Sequence, residues 1–181
     1  MRRLKHHEQK LLKRVNFLQW RGEHGGREVE VMRRYHITER DDYKKYNKLV
    51  GLVTKLVSVL RKFPPSDAFR ADLTSKLLRK LYENGLTPSQ GSLAQAEKLA
   101  TSALCRRRLA VMLVRLKFCE TLREATTFVE QGHVRVGPDT VRDPAFHVTR
   151  AFEDFITWND QSKVRRQVLR YHDKLDDADL L

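Results

Sequence analysis

Three consecutive arginines, Arg106-Arg107-Arg108, stand at an expected helix start. The chemistry they suit is anion binding, because a guanidinium fork matches phosphate oxygens two at a time. Positive charge at a helix N-terminus opposes the macrodipole, so the placement is a cost unless an anion meets it. Three adjacent residues span roughly 300° of a helix, so not all three can be buried on one. At least two are therefore expected to face phosphate. Lys117 and Arg123 flank a turn further on, and Arg135 sits on a polar–apolar alternation. All three suit contact with RNA. His133 suits either an RNA contact or a satisfied packing role. Thr121, at the start of the next helix, is counted with the RNA-binding candidates.

Other chemistries find little support. A catalytic thiol needs a base and an orienting group, and nothing near Cys105 or Cys119 suggests either. The two cysteines make no Cys-x-x-Cys pair, which argues against zinc and against a disulfide framework. Asp173, Asp176, Asp177 and Asp179 lack the glycine and terminal glutamate of a calcium loop and read as an acidic tail. No metal, cofactor or enzymatic activity is expected. The longest apolar run, 109–114, is far short of the ~20 residues a membrane span needs. No apolar leader with a small-residue cleavage site precedes the first helix.

Charge is concentrated at one end. The net charge is +13, and residues 1–62 hold 17 basic against 7 acidic residues, net +10. Residues 63–104 net +1, residues 105–158 net +2, and residues 159–181 are balanced. A one-signed excess over that length points to nucleic acid. Within it, residues 4–20 read as a helix with Leu11, Leu12, Val15 and Leu18 on one face, and Lys5, Lys10, Lys13 and Arg14 beside them. These four are candidate RNA contacts. Trp20, beside Arg21, is a candidate for stacking on a base.

The elements that position these residues follow from periodicity. Glycines at 22, 25 and 26 make a loop, and a short helix is expected near 28–35. Residues 39–62 carry the strongest helical pattern, with Thr38 and Asp41 forming a cap. Tyr43, Tyr46, Leu49, Val50, Val53, Leu56, Val57 and Leu60 form its apolar stripe, read as core in preference to a partner seam. Ser66 opens a helix to about residue 84, closed by Gly85, and a short helix follows near 92–99. A helix is expected over 104–116, then a second opened by the Thr121-x-x-Glu124 capping box and closed by Gly132. Residues 133–136 alternate as a half-buried strand, Gly137-Pro138-Asp139 turns, and short strands follow at Val141, at Phe146 and Val148, and at Phe155 to Trp158.

That order, two helices and then Gly132-His133 with Val136 and a hairpin, resembles the ribosomal-protein-S-four type RNA-binding domain. The matching residues are Arg107, Arg108, Leu109, Leu116, Phe118, Thr121, Ala125, Val129, Gly132, His133, Val136, Val141, Pro144, Phe146 and Val148. The chain departs from the family at Lys117, where glycine is usual, at Ala110, where aspartate is, and at Leu122 and Thr126, where arginine is. The family's Pro-Gly-Asp after the last strand is replaced by Arg150-Ala151-Phe152.

Past the domain motif as well, the chain is similar to one eukaryotic branch, the S-four-like subunits of the U-three small nucleolar ribonucleoprotein. The similarity rests on residues 4–13, Asp42-Tyr43, Tyr46-Asn47, Gly91-Ser92-Leu93, residues 128–138, Asp154-Phe155, Trp158 and Ser162-Lys163. The resemblance implies a nucleolar protein of the small-subunit processome that helps the small nucleolar RNA pair with precursor ribosomal RNA. It implies two protein partners, the scaffold M-phase phosphoprotein ten and a sister subunit with a Brix domain. A ribosomal protein of the small subunit itself is the alternative. The expected fold is α+β: a basic helical region over 1–104, an S-four-type module of two helices and a short antiparallel sheet over 105–158, and a C-terminal helix with an acidic tail over 159–181.

Overall fold

The computed structural model describes residues 2–14 and 26–174. Its first helix, α1 (His6–Arg14), is opened by Glu8, whose carboxylate accepts the Lys5 backbone N–H at 2.9 Å. Leu11 and Leu12 on it are exposed. The rest of the expected helix, with Val15, Leu18 and Trp20, lies outside the described residues. Next come α2 (Gly26–Arg34), α3 (Arg40–Leu60), α4 (Ala68–Glu83) and α5 (Leu93–Glu97).

Two helix starts differ from expectation. Glu39, not Thr38, is the cap residue of α3, and no side-chain bond closes it. Asp67, not Ser66, caps α4, its carboxylate accepting the Phe69 N–H at 2.9 Å. Gly85 ends α4 as expected. Its φ of +69° allows the Leu86 N–H to reach the Leu81 carbonyl at 2.9 Å, a bond that closes a helix end. The helices α3, α4 and α5 enclose a small core of Val57, Leu78, Leu81 and Ala96. The α3 stripe divides around that core. Val57 and Leu60 are buried, whereas Leu49 and Leu56 are exposed.

The helix expected over 104–116 is two helices. α6 (Thr101–Cys105) stops, and α7 (Leu109–Arg115) starts after an extended Arg108 with ψ of 142°. The break is made by pairing: Arg108 forms an antiparallel bridge with His147. The Leu109 N–H donates to the Phe146 carbonyl at 2.9 Å, and the Val148 N–H to the Arg107 carbonyl at 2.8 Å. Residues 146–148 are thus spent on the α6–α7 break and do not join the sheet.

The second helix of the module, α8 (Leu122–Glu130), has its capping box closed in both directions. Gly132 follows at φ +76°. Then β1 (Val134–Val136), β2 (Asp139–Thr140) and β3 (Ile156–Trp158) form an antiparallel sheet in the order β2-β1-β3, with α9 (Arg150–Glu153) before β3. Val134 and Val136 point inward and Arg135 outward, the alternation a half-buried strand requires. The module core joins Leu109, Met112 and Leu113 of α7 to Ala125 and Val129 of α8, both β1 valines, Val148 and Ile156. Ser162 caps the last helix, α10 (Lys163–Tyr171), by accepting the Val164 and Arg165 N–H groups.

Candidate nucleic-acid interface

The three arginines do not share a role. Arg107 and Arg108 are 3% and 4% exposed and point into the protein. Arg107 donates from Nε to the Val148 carbonyl at 2.8 Å and from Nη1 to the Glu153 carboxylate. Its guanidinium lies against Gly85, where a Cβ would come within 2.5 Å of Cζ. Arg108 donates from Nη1 to Asp42 Oδ2 at 3.1 Å and to the Tyr46 hydroxyl at 3.0 Å. The expected phosphate role is therefore corrected for both residues. The extended Arg108 backbone interrupts the helix, so the argument from helical rotation does not apply. The negative partners that the charge demanded come from Asp42 on α3 and Glu153 on α9, far away in sequence.

Further bonds join the helical half to the module. Arg150 donates to the Tyr82 and Thr87 carbonyls, each at 2.8 Å, and its guanidinium lies 4.2 Å from the centroid of the Tyr82 ring. Arg106 stays exposed, its Nε donating to the Tyr35 hydroxyl at 3.2 Å. Tyr35, Ile37 and Cys105 form the apolar cluster beside this seam.

The α7–α8 corner carries cations that the protein does not neutralise. Arg115, Lys117 and Arg123 are exposed and make no ion pair among the described residues. Arg115 was not singled out from the sequence; its place in the exposed last turn of α7 is the signal that finds it. Lys117 has φ +63°. Its N–H reaches the Val114 carbonyl at 3.1 Å, and the Phe118 N–H reaches the Leu113 carbonyl at 2.9 Å. This is the helix ending that glycine favours, and a lysine there costs about 1 kcal/mol of backbone energy. Thr121 is occupied locally: its hydroxyl accepts the Glu124 N–H at 3.3 Å.

The sheet residues are more engaged. Ser162 Oγ accepts two helix N–H groups, so its own proton goes to His133 Nδ1, 2.9 Å away. That leaves Nε2–H to donate to Gln131 Oε1 at 3.1 Å. Both ring nitrogens of His133 are thus engaged within the protein. Arg135 donates to the Thr157 hydroxyl at 3.0 Å and pairs with Asp160, which also holds Arg165. Arg142 was missed by the sequence reading; its Nε would lie 3.3 Å from a Cβ at Gly132. Lys5, Lys10, Lys13 and Arg14 are exposed on and beside α1.

Burial pushes the Cys105 and Cys119 thiols up to about 11, which keeps both protonated and poorly nucleophilic near neutrality. Among the described residues no cluster of three His, Cys, Asp or Glu side chains is placed to hold a metal ion. No described helix is long and apolar enough to cross a membrane.

Two family models match this architecture in succession. The ribosomal protein S4/S9 N-terminal domain matches residues 3–106, and the S4 domain matches residues 107–156. Among curated proteins, the chain is 49% identical over 180 residues to the U3 small nucleolar ribonucleoprotein protein IMP3 of Saccharomyces cerevisiae, covering 99% of this chain and 98% of that protein. The Homo sapiens protein of the same name is 50% identical over 181 residues, with the same coverage. The small ribosomal subunit protein uS4 of Hyperthermus butylicus is more distant, 24% identical over 139 residues and 77% of this chain. The chain belongs to the family of the U3 small nucleolar ribonucleoprotein IMP3 proteins, a branch of the S4-domain class.

Two outcomes follow from the buried arginines and their neighbours. Asp42→Ala leaves the Arg108 guanidinium buried without its carboxylate, and urea unfolding should show a loss of about 3 kcal/mol. Asp72→Ala, which removes only the exposed pair with Lys76, should cost less than about 1 kcal/mol. His147 has its pKa lowered, first by burial, so the unfolded chain takes up its proton more readily than the folded one. The stability it contributes is complete above the ordinary histidine range and is lost as pH falls through and below it. Melting temperatures measured at pH 7.5 and 5.5 should therefore differ less for His147→Gln than for the parent.

Proposed function

We propose that this chain is a non-catalytic RNA-binding component of the U-three small nucleolar ribonucleoprotein. In this reading it assists pairing of the small nucleolar RNA with precursor ribosomal RNA during small-subunit processing, in the nucleolus. The observation that carries the reading is the α7–α8 corner: Arg115, Lys117 and Arg123 stand exposed, without an ion pair among the described residues, on an S4 module. Full-length identity near 50% to proteins named for that particle supports it. A role as the ribosomal protein itself is less well supported, because the uS4 relatives are distant and cover a smaller share of the chain.

The corner supplies a fixed set of cations for RNA phosphates, which positions RNA by shape rather than by base identity. Arg106 extends the set, and Arg135 adds to it to the extent that RNA competes with Asp160 for its guanidinium. Lys5, Lys10, Lys13 and Arg14 add charge from α1. Two RNA strands brought against such a surface repel each other less, so pairing between them becomes easier. The chain carries out no chemical step. Its protein partners in this reading are M-phase phosphoprotein ten and a Brix-domain sister subunit.

Titrating U-three RNA against the full chain at several salt concentrations tests the corner. Replacing Arg115, Lys117 and Arg123 by alanine should flatten the log–log salt slope by about 2 to 3, close to 1 per lost phosphate contact. An unchanged slope in a variant with an unchanged melting temperature would sink the assignment. Lys117→Gly should raise stability by up to about 1 kcal/mol while lowering RNA affinity, because it relieves the left-handed backbone and removes the charge.

A further inference from the structure

The α3 helix buries one face and leaves another apolar face open. Leu49, Leu52, Leu56 and Val59 run along the open side, and Phe63 continues the line past the helix end. They are 36–52% exposed, large values for aliphatic and aromatic side chains on one stripe. Their steps are three, four, three and four residues, the repeat that lets one helix lie along another. The line extends about 20 Å at the helical rise. Phe69, 57% exposed, meets Phe63 edge-on at 6.1 Å and widens the apolar end of the line.

Charge flanks the stripe on one side. Lys48, Lys55 and Lys62 repeat every seven residues beside it, all exposed. None has an ion pair among the described residues, whereas Lys44 and Lys45 are paired with Asp41 and Asp42. On the other flank, Val53 packs against the core and Leu60 is buried, so the lysines are the charged border of the stripe. In two-helix seams, charges in these flanking positions choose the partner by complementarity.

We propose that this face of α3 docks an acidic amphipathic helix of another protein, with leucine-type residues at three–four spacing and carboxylates facing Lys48, Lys55 and Lys62. The sign of the flank excludes nearer occupants. A second copy of the chain laid antiparallel would set one lysine row against another. The chain's own α1 presents Leu11 and Leu12 among Lys10, Lys13 and Arg14, which is also the wrong sign. An RNA backbone would satisfy the lysines but would leave five large apolar side chains against phosphate and sugar. The docking face is separate from the α7–α8 corner and stands whether or not that corner holds RNA.

The test uses the full chain and a synthetic helix about three heptads long, with leucine at its core positions and glutamate at the flanking ones, labelled for fluorescence anisotropy. This peptide should bind at least about tenfold more tightly than its lysine-flanked counterpart at low salt. Changing Lys48, Lys55 and Lys62 together to glutamate should invert that preference. Leu52→Glu with Leu56→Glu should abolish binding without lowering the melting temperature, since both positions are exposed. Equal affinity for the two peptides, or no effect of either set of substitutions, overturns the proposal. So does displacement of the peptide by an RNA hairpin, or a concentration-dependent dimer of the free chain that the leucine substitutions dissolve.

Discussion

Two buried guanidinium groups hold this protein together. Removing an arginine from water is expensive, and the cost is offset only where good geometry and a negative partner await it. Arg108 finds Asp42 and Tyr46 on α3. Arg107 finds the Val148 carbonyl and Glu153 of α9, its Nη2 alone lacking a hydrogen-bond partner among the described residues. Arg108 ties the module to α3 of the helical half, while Arg107 ties the α6–α7 break to α9 and packs against Gly85. The extended residue between α6 and α7 is the local cause: it turns both side chains inward and lets residues 146–148 pair with the chain there.

With the arginines spent on architecture, surface charge passes to other residues. The α7–α8 corner keeps its cations free among the described residues, and one of them, Lys117, occupies a left-handed turn that glycine would fill at lower cost. The sheet is less available. Asp160 draws Arg135 and Arg165 together, and His133 is bound to a cap serine and a glutamine. The strongest positive balance lies in the first third of the sequence, so geometry and electrostatics reside in different parts of the same chain.

Much of this was legible beforehand. The capping box of α8, the glycine ends at Gly85 and Gly132, the alternation of β1 and the turn at Gly137 depend on local chemistry, and each appears where its residues put it. What failed depended on distant partners. Nothing near Arg106-Arg107-Arg108 announces Asp42 or Glu153, so a run of arginines looked like a surface. Phe146 and Val148 have strand-forming side chains, but their pairing mate is a break inside a helix that local periodicity reads as continuous. The α3 stripe was too wide for a single face: its apolar residues cover both a buried side and an open one, and only the packing of α4 and α5 separates them.

The division between the two matched families falls between Arg106 and Arg107. Seen as inherited text, that junction separates two transferable pieces. Seen energetically, it runs through the lock itself, since Arg108 of the second piece is satisfied by Asp42 and Tyr46 of the first. A module transplanted without its helical companion would carry a naked guanidinium into its new setting. Such a graft would need a fresh carboxylate at the same spot, so the two pieces are bound to travel and diverge together.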